Sequence, residues 1–200
     1  ERLHSQLQRF LDHDNGYRSQ KAARPEAVEL AFGMDGEAPL ELCLPDGRSL
    51  RFRGRADRVD RLDGPGERGA LVVDYQTSKV TVYKGLSGEN AASACAGGTM
   101  LQLGLYAEAA RAHLGVDHVE SYYWLLSGLN GATLRGFCWT DELRGQFLEL
   151  LGQIVEGIEG GLFPMVPGAW DSYRSTHQNC RYCAFDTICP RERGDRAEVK

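Results

Sequence analysis

Ala70-Leu71-Val72-Val73-Asp74 is the stretch that most limits what this chain can become: four consecutive apolar residues ending on a carboxylate. A strand with one wet face alternates apolar and polar residues, whereas a continuous apolar run suits a strand covered on both faces. The chain is therefore expected to build a sheet with layers on either side and to place an acid at the end of its most buried strand. An isolated buried carboxylate is costly, and it either takes up a proton or finds a partner.

The patterning on either side of that run supplies the remaining elements. Residues 1–14 place Leu3, Leu7, Phe10 and Leu11 on one helical stripe, which Asn15-Gly16 is expected to stop. Residues 26–33 alternate as a strand, and so do Leu40, Leu42 and Leu44 before the Pro45-Asp46-Gly47 turn. Residues 49–62 read as one long strand with Leu50, Phe52, Gly54 and Ala56 on one face, broken by Asp63-Gly64-Pro65-Gly66. Residues 70–76 form the buried strand. Residues 84–98, rich in Gly, Ser and Ala, are expected to be a mobile loop. A helix over 99–114 closes at Gly115, two strands over 118–127 and 131–139 join through Gly128 to Gly131, and Thr140 or Asp141 caps a helix reaching about residue 159. Its stripe is Phe147, Leu151, Ile154 and Ile158, and Gly160-Gly161 ends it.

The order predicts an α/β fold, a mixed central β-sheet flanked by helices. Residues 1–161 would form the core and 162–190 an irregular, cysteine-containing C-terminal segment of the same domain. Residues 191–200 would be a charged tail. The chain has 200 residues, 42% hydrophobic and 26% charged, which fits a globular protein with a real core. No apolar run reaches membrane-spanning length and no signal-peptide pattern is present, so a cytoplasmic protein without a membrane partner is expected. The polar start, Glu1-Arg2-Leu3-His4, lacks an initiator Met, which suggests a piece of something longer or a trimmed chain. The net charge of −5 argues mildly against binding nucleic acid by bulk electrostatics, but leaves room for an acidic metal site beside a local basic groove.

Three acids fall where strands disfavour them: Glu29, Asp57 and Asp74. Magnesium is held by one or two carboxylates together with waters and substrate phosphate oxygens, and Asp57 and Asp74 on adjacent strands could supply that pair. Phosphodiester hydrolysis then needs an activated water and a stabilised leaving oxygen. A plainer reading also fits: Gly54-Arg55-Ala56-Asp57-Arg58-Val59-Asp60-Arg61 is an alternating charge run, as solvated edges and cross-strand ion pairs are.

Taken in order, Gly54-Arg55-Ala56-Asp57-Arg58-Val59-Asp60, Val73-Asp74-Tyr75-Gln76-Thr77, and Gln102 with Tyr106 resemble the nuclease domain of RecB- and AddB-type helicase-nucleases. These are members of the PD-(D/E)xK superfamily with a restriction-endonuclease-like core. The family pattern is a G-x-x-D-R-x-D strand, a D-Y-K-[TS] strand and a Q-x-x-x-Y helix. Each piece alone is weak, but the ordered set is specific. It covers about residues 20–110. Glu29 resembles an acid on the preceding strand of AddB-like members.

The resemblance implies a metal-dependent DNA exonuclease or endonuclease in recombination and double-strand-break repair. Asp57 and Asp74 would ligate Mg2+ or Mn2+, with the Tyr75 carbonyl as a further ligand. Gln102 and Tyr106, one helical turn apart, would orient the site or touch the DNA. Read without the resemblance, they are a helix that buries Tyr106 beside an incidental polar neighbour.

Two departures stand out. Gln76 occupies the position of the family's catalytic lysine; Gln can hydrogen-bond a water but carries no charge, so a slower reaction is expected, and Lys79 or Lys84 could substitute in space. Members of the wider superfamily do carry Gln or Glu there. The family's metal-ligating His on a helix before the first strand is matched only by type, by His4 and His13.

Cys180-x-x-Cys183-x5-Cys189, followed by Pro190, supplies three ligands and wants a fourth. Thiolates at this spacing suit a [4Fe–4S] cluster or, alternatively, Zn2+. AddB-like nucleases resemble it, with one more cysteine upstream; here Cys43, Cys95, Cys138 or His177 could replace that ligand, or the set is incomplete. The cluster's role would be structural, closing residues 162–190 onto the domain. Three unligated thiols in a loose tail is the plainer alternative.

The implied partners are DNA, in particular a single strand, and a helicase module in the same or a partner polypeptide. Arg55, Lys79 and Lys84 are candidate backbone contacts, and each could equally be a solvated surface charge. Gln76, the acidic charge and the absent His support a different function, a degenerate nuclease fold that binds DNA or braces its parent assembly without cutting. A third class is an unrelated zinc or iron–sulfur protein with accidental acid motifs.

Overall fold

The computed structural model describes residues 2–64, 67–126 and 133–185. The chain divides into two compact units, Glu1–Ile154 and Val155–Lys200. The first is a mixed α/β fold. Its elements run α1 (Arg2–Lys21), β1 (Ala23–Phe32), β2 (Leu40–Cys43), β3 (Ser49–Phe52), β4 (Gly54–Gly64), β5 (Glu67–Gln76), α2 (Ala91–Ala94), α3 (Gln102–Leu114), β6 (His118–Leu125), β7 (Thr133–Trp139) and α4 from Asp141. Five strands form one sheet in the order β1-β4-β5-β6-β7, and β2 and β3 pair separately. β5 and β6 are parallel and the other neighbours in the sheet antiparallel. Two parallel strands in sequence need a crossover, and α3 makes it.

The apolar run of β5 lies at the middle of this sheet, and Ala70, Leu71, Val72 and Val73 are all fully buried. Alternation splits them between two cores. Ala70 and Val72 face α3 and α4 together with Val59, Leu103, Ala107, Tyr123 and Phe147. Leu71 and Val73 face the other way, with Leu62 and Trp124, against Phe10 and Tyr17 of α1. The sheet is thus covered on both sides, as the sequence of β5 demands.

Three local expectations change. The first helix does not stop at Asn15-Gly16 but continues to Lys21. Its inward face is Phe10, Asp14, Tyr17 and Lys21, not Leu7 and Leu11, which are exposed. Phe10, His13 and Tyr17 pack edge-on around Trp124, and Lys21 donates to buried Glu120 at 2.8 and 2.9 Å. Tertiary packing beyond Phe10 therefore carries the helix through a local stop signal.

The strand expected over 49–62 is broken at Arg53, which separates β3 from β4. Phe32 covers Gly54 so closely that a Cβ there would lie 2.7 Å from its ring, so β1 seals the start of β4 while β3 folds back on β2.

The segment 84–98 is not featureless. A 3-10 turn at Val80–Tyr83 leads into it, α2 follows with a reciprocal Asn90–Ser93 cap, and the backbone N–H of Ala91 donates to Gln146 at 3.0 Å. Ala91, Ala94 and Cys95 are buried in the α3-side core.

α3 buries Leu103, Tyr106, Ala107 and Ala110 and ends on Gly115 in the left-handed conformation. Buried Glu108 on α3 accepts from the Trp139 indole at 2.7 Å and from Arg144 of α4 at 2.9 Å. Thr140 is the cap, its hydroxyl accepting from the Leu143 N–H at 3.1 Å. Leu143, Phe147, Leu148 and Leu151 are buried along the helix that follows.

In the second unit, α4 closes at Glu159, Gly161 takes a positive φ, and two short strands, β8 (Trp170–Asp171) and β9 (Thr176–His177), pair antiparallel. A 3-10 turn, Gln178–Cys180, follows. Among the described residues no helix is long and apolar enough to cross a membrane.

Candidate active site

β4 and β5 pair regularly from Gly64↔Glu67 up to Arg58↔Val73. Beyond that point the next residue on each strand is an acid, Asp57 and Asp74, and both lie on the α3 side by alternation with Arg58 and Val73. Where the ladder ends, a side chain replaces it: Asp57 Oδ2 accepts the Tyr75 backbone N–H at 2.8 Å. Asp57 is therefore fixed against the peptide that links Asp74 to Tyr75.

Asp74 is 4% exposed. Burial pushes its carboxyl up to about 6; the Gln76 amide opposes this, and the negative charge of Asp57 adds to it. Among the described residues neither Asp57 nor Asp74 forms an ion pair, and no hydrogen bond reaches the Oδ1 of either.

Five sequence candidates converge here. Gln76 donates through Nε2 to Asp74. Gln102, the first residue of α3, donates to the Tyr106 hydroxyl at 3.4 Å. Tyr106 is buried, and its hydroxyl is pushed up first by burial and then by Asp74, with lesser effects from Asp57 and Glu29. Two residues with no sequence signal of their own complete the wall: Tyr83 donates to Gln76 Oε1 at 3.1 Å, and Tyr123 donates to Gln102 Oε1 at 3.3 Å. Tyr123 is the parallel-strand partner of Asp74 in the β5–β6 register.

The remaining candidates lie outside this knot. Arg55 pairs with Asp35 and lies 3.8 Å from Glu29, whose backbone has φ +53°. Lys79 and Lys84 flank the Val80–Tyr83 turn, both exposed, and among the described residues neither pairs with Asp57 or Asp74. His4 and His13 are exposed on α1, and His13 packs on Trp124, on the face away from the two acids.

Cys43 and Cys138 are exposed; Cys95 is fully buried, which pushes its thiol up to about 11. Cys180 and Cys183 stand at the ends of one turn, with Cys183 N–H donating to the Cys180 carbonyl at 3.2 Å. His177 Nδ1 is 2.9 Å from the Gly168 carbonyl. Cys189 lies outside the described residues. Among the described residues no group of three His, Cys, Asp or Glu side chains converges as a metal site.

The donor set at Asp57 and Asp74 nonetheless fits a hard divalent cation. Two carboxylates, one nearly inaccessible, have among the described residues no cation to neutralise them, and each keeps an oxygen that no described group donates to. A magnesium ion takes few protein carboxylates and completes its shell with water and phosphate oxygens.

The PD-(D/E)XK nuclease superfamily matches residues 1–190. Among curated proteins, an ATP-dependent helicase/deoxyribonuclease subunit from Symbiobacterium thermophilum is 42% identical over 76 residues, 36% of this chain and 6% of that protein. The protein of the same name from Moorella thermoacetica is 35% identical over 115 residues, 54% of this chain and 9% of that protein. The matched regions thus span only a small part of these much longer relatives.

Proposed function

This chain belongs to the PD-(D/E)XK nuclease superfamily, and on that basis we propose that it is the metal-dependent nuclease portion of an AddB-like helicase-nuclease. In this reading it hydrolyses phosphodiester bonds of DNA, with a single strand as the preferred substrate, in the service of recombination and double-strand-break repair. The observation that carries the proposal is Asp74: a carboxylate buried at the end of a central strand, beside a second carboxylate, with no cationic side chain among the described residues to neutralise it.

Asp57 and Asp74 would hold Mg2+ or Mn2+ through their free oxygens, with the Tyr75 carbonyl beside them. When bound, the ion would supply a Lewis acid and lower the pKa of the attacking water. The chain's own groups do the rest. Gln76 offers an amide N–H to orient that water or a phosphate oxygen, but it cannot contribute the charge that a lysine would. Gln102 and Tyr106 line the same wall and would steady the strand being cut. Lys79 and Lys84, exposed at the turn after β5, would meet DNA phosphates. Arg55 would do so only by exchanging its carboxylate partners Asp35 and Glu29.

The test is degradation of labelled single-stranded DNA with Mg2+ or Mn2+. Asp74→Ala should reduce the rate by about a thousandfold or more, as expected for loss of a metal ligand that acts in the transition state. Gln76→Lys should raise it. Cutting that persists in Asp74→Ala would defeat the assignment.

Gln76 also favours a second reading, a fold that has kept DNA binding and lost cutting. In that case the wild-type chain would retain DNA without degrading it, and Gln76→Lys would restore cleavage.

Cys180, Cys183 and Cys189 would ligate a [4Fe–4S] cluster, or Zn2+, with a fourth ligand from elsewhere. Purified protein with visible iron–sulfur absorbance that is lost in Cys180→Ser is the expected result; colourless protein containing stoichiometric zinc would select the alternative.

A further inference from the structure

The site contains two glutamine carboxamides, and each has its oxygen held by a tyrosine. Tyr83 donates to Gln76 Oε1 at 3.1 Å and Tyr123 donates to Gln102 Oε1 at 3.3 Å. The two phenol rings pack on each other, with centroids 4.8 Å apart, and their exposures are 7% and 2%. With their oxygens occupied, the amides turn their NH2 groups inward, Gln76 to Asp74 and Gln102 to the Tyr106 hydroxyl.

A glutamine side chain has three rotatable bonds and loses entropy when it is held in one place. A lysine at position 76 could be held by its charge against two carboxylates. A neutral amide has no such attraction, so its position depends on its hydrogen bonds. The opposite orientation would set Oε1 against the Asp74 carboxylate, acceptor against acceptor.

We propose that Tyr83 is a positioning residue for Gln76: its buried hydroxyl anchors the carboxamide oxygen, so that the amide nitrogen is presented to Asp74 and to whatever binds there. This rests on the nuclease reading of the site but goes beyond it, because it assigns to a residue of the 3-10 turn after β5 the task of making an uncharged Gln usable where the family pattern has a lysine. Tyr123, through Gln102, is the second arm of the same wall.

Four proteins test this: the wild type, Tyr83→Phe, Gln76→Met and the double variant. Two measurements are made, the metal-dependent cleavage rate on single-stranded DNA and the position of the Gln76 side-chain NH2 signals in a nitrogen–proton correlation spectrum. Phe keeps the ring that packs on Tyr123 and removes only the hydroxyl. The expected result is a kcat about tenfold lower in Tyr83→Phe with KM unchanged, the scale of one neutral hydrogen bond. In the Gln76→Met background the same change should have less than about a twofold effect. The Gln76 NH2 signals should move towards those of a solvated amide in Tyr83→Phe.

Equal losses of rate in both backgrounds would make Tyr83 a packing residue and overturn the proposal. So would Gln76 signals that stay in place. If the wild type cuts nothing with Mg2+ or Mn2+, it is the nuclease reading that fails, and the spectrum alone then decides whether Tyr83 holds the amide.

Discussion

Two pairs of acids flank the β4–β5 ladder on opposite faces of the sheet, and the fold treats them differently. On the α1 side, Asp14 and Asp60 are buried around a shared guanidinium: Arg58 lies 2.8 Å from Asp14 and 3.0 Å from Asp60, and Arg18 pairs with Asp14 as well at 2.8 Å. Arg58 also donates to the Tyr75 hydroxyl at 2.6 Å and packs over the rings of Tyr75 and Trp124. On the α3 side, one residue further along each strand, Asp57 and Asp74 face each other with amides and phenols around them and, among the described residues, no protein cation. Burial pushes Asp60 and Asp74 up alike, but Asp60 has Arg58 to oppose it and Asp74 has only an amide. The two faces of the sheet thus meet one acid pair neutralised from within and one left to be neutralised from outside. An arrangement costly to the empty protein is what a cation site looks like when the ligand supplies the compensation.

The contrast is sharpest at Arg58. Arg58→Met fills a similar volume but leaves Asp60 buried without its ion-pair partner and Asp14 with Arg18 alone, which should cost about 3–5 kcal/mol. Thermal unfolding should shift down by roughly 6–20 °C, at about 2–4 °C per kcal/mol for a chain of this size. An unchanged melting temperature would mean that the guanidinium does not neutralise this pair.

Adding the missing charge to the other pair should act in the opposite direction. Mg2+ at a hundred times its dissociation constant should stabilise the wild type by about 2.7 kcal/mol, because it binds only the folded state. Asp74→Asn should lose most of that gain. A melting curve that Mg2+ moves equally in both proteins would place the ion elsewhere.

Without metal, Asp74→Asn should itself be more stable than the wild type, by about 1 kcal/mol, since it removes a buried charge whose absence is felt only by function. The sign with pH follows from the direction of the shift. A carboxyl raised to about 6 in the folded state holds its proton after the unfolded chain has lost it. Its contribution to stability is therefore full below pH about 4, the ordinary range of an aspartate, and is lost as pH rises through about 6. The difference in melting temperature between variant and wild type should open across that window and stay constant above it. A difference that is flat in pH would mean that Asp74 does not titrate as a buried group.

These two regions also differ in how far they can be read from sequence. The apolar run Ala70–Val73 announces a strand covered on both faces, and the position of Asp74 at its end follows from four consecutive letters. That Gln102 and Tyr106 share a face follows from helical spacing alone. Tyr123 cannot be found that way. It faces Asp74 because β5 and β6 pair in parallel at that register, which is a property of the crossover and not of Tyr122-Tyr123-Trp124. Tyr83 sits beside a Gly-, Ser- and Ala-rich stretch with no periodicity, where only Val80-Thr81-Val82-Tyr83 hints at something to bury. The Arg58 cluster is hidden for a different reason. Asp57-Arg58-Val59-Asp60-Arg61 has the letters of a solvated edge, and only the placement of β4 between β1 and β5 makes its alternate residues interior. Asp14, 44 residues from Arg58, falls at helical spacing on the stripe of Leu7, Phe10 and Leu11, but it is a charged residue directly before the Asn15-Gly16 stop signal, so its letter gives no reason to bury it.

That helix supplies the smallest and most selective test. Gly16 lies inside α1, its φ is not among the positive ones, and a Cβ there would meet nothing within 4 Å. Gly in a helix interior costs about 0.5–1 kcal/mol relative to Ala through the freedom it loses on folding, so Gly16→Ala should stabilise by that amount, a rise of roughly 1–4 °C. If α1 serves the neutralised pair by delivering Asp14 to Arg58, stiffening it should raise the melting temperature and leave metal affinity and cleavage unchanged, because Asp57 and Asp74 are fixed by the Tyr75 N–H and by the wall of tyrosines on the other face. Should Gly16→Ala also alter metal affinity, the two faces are coupled through Arg58 and Tyr75, and the acids on the α3 side owe their geometry to the cation on the α1 side.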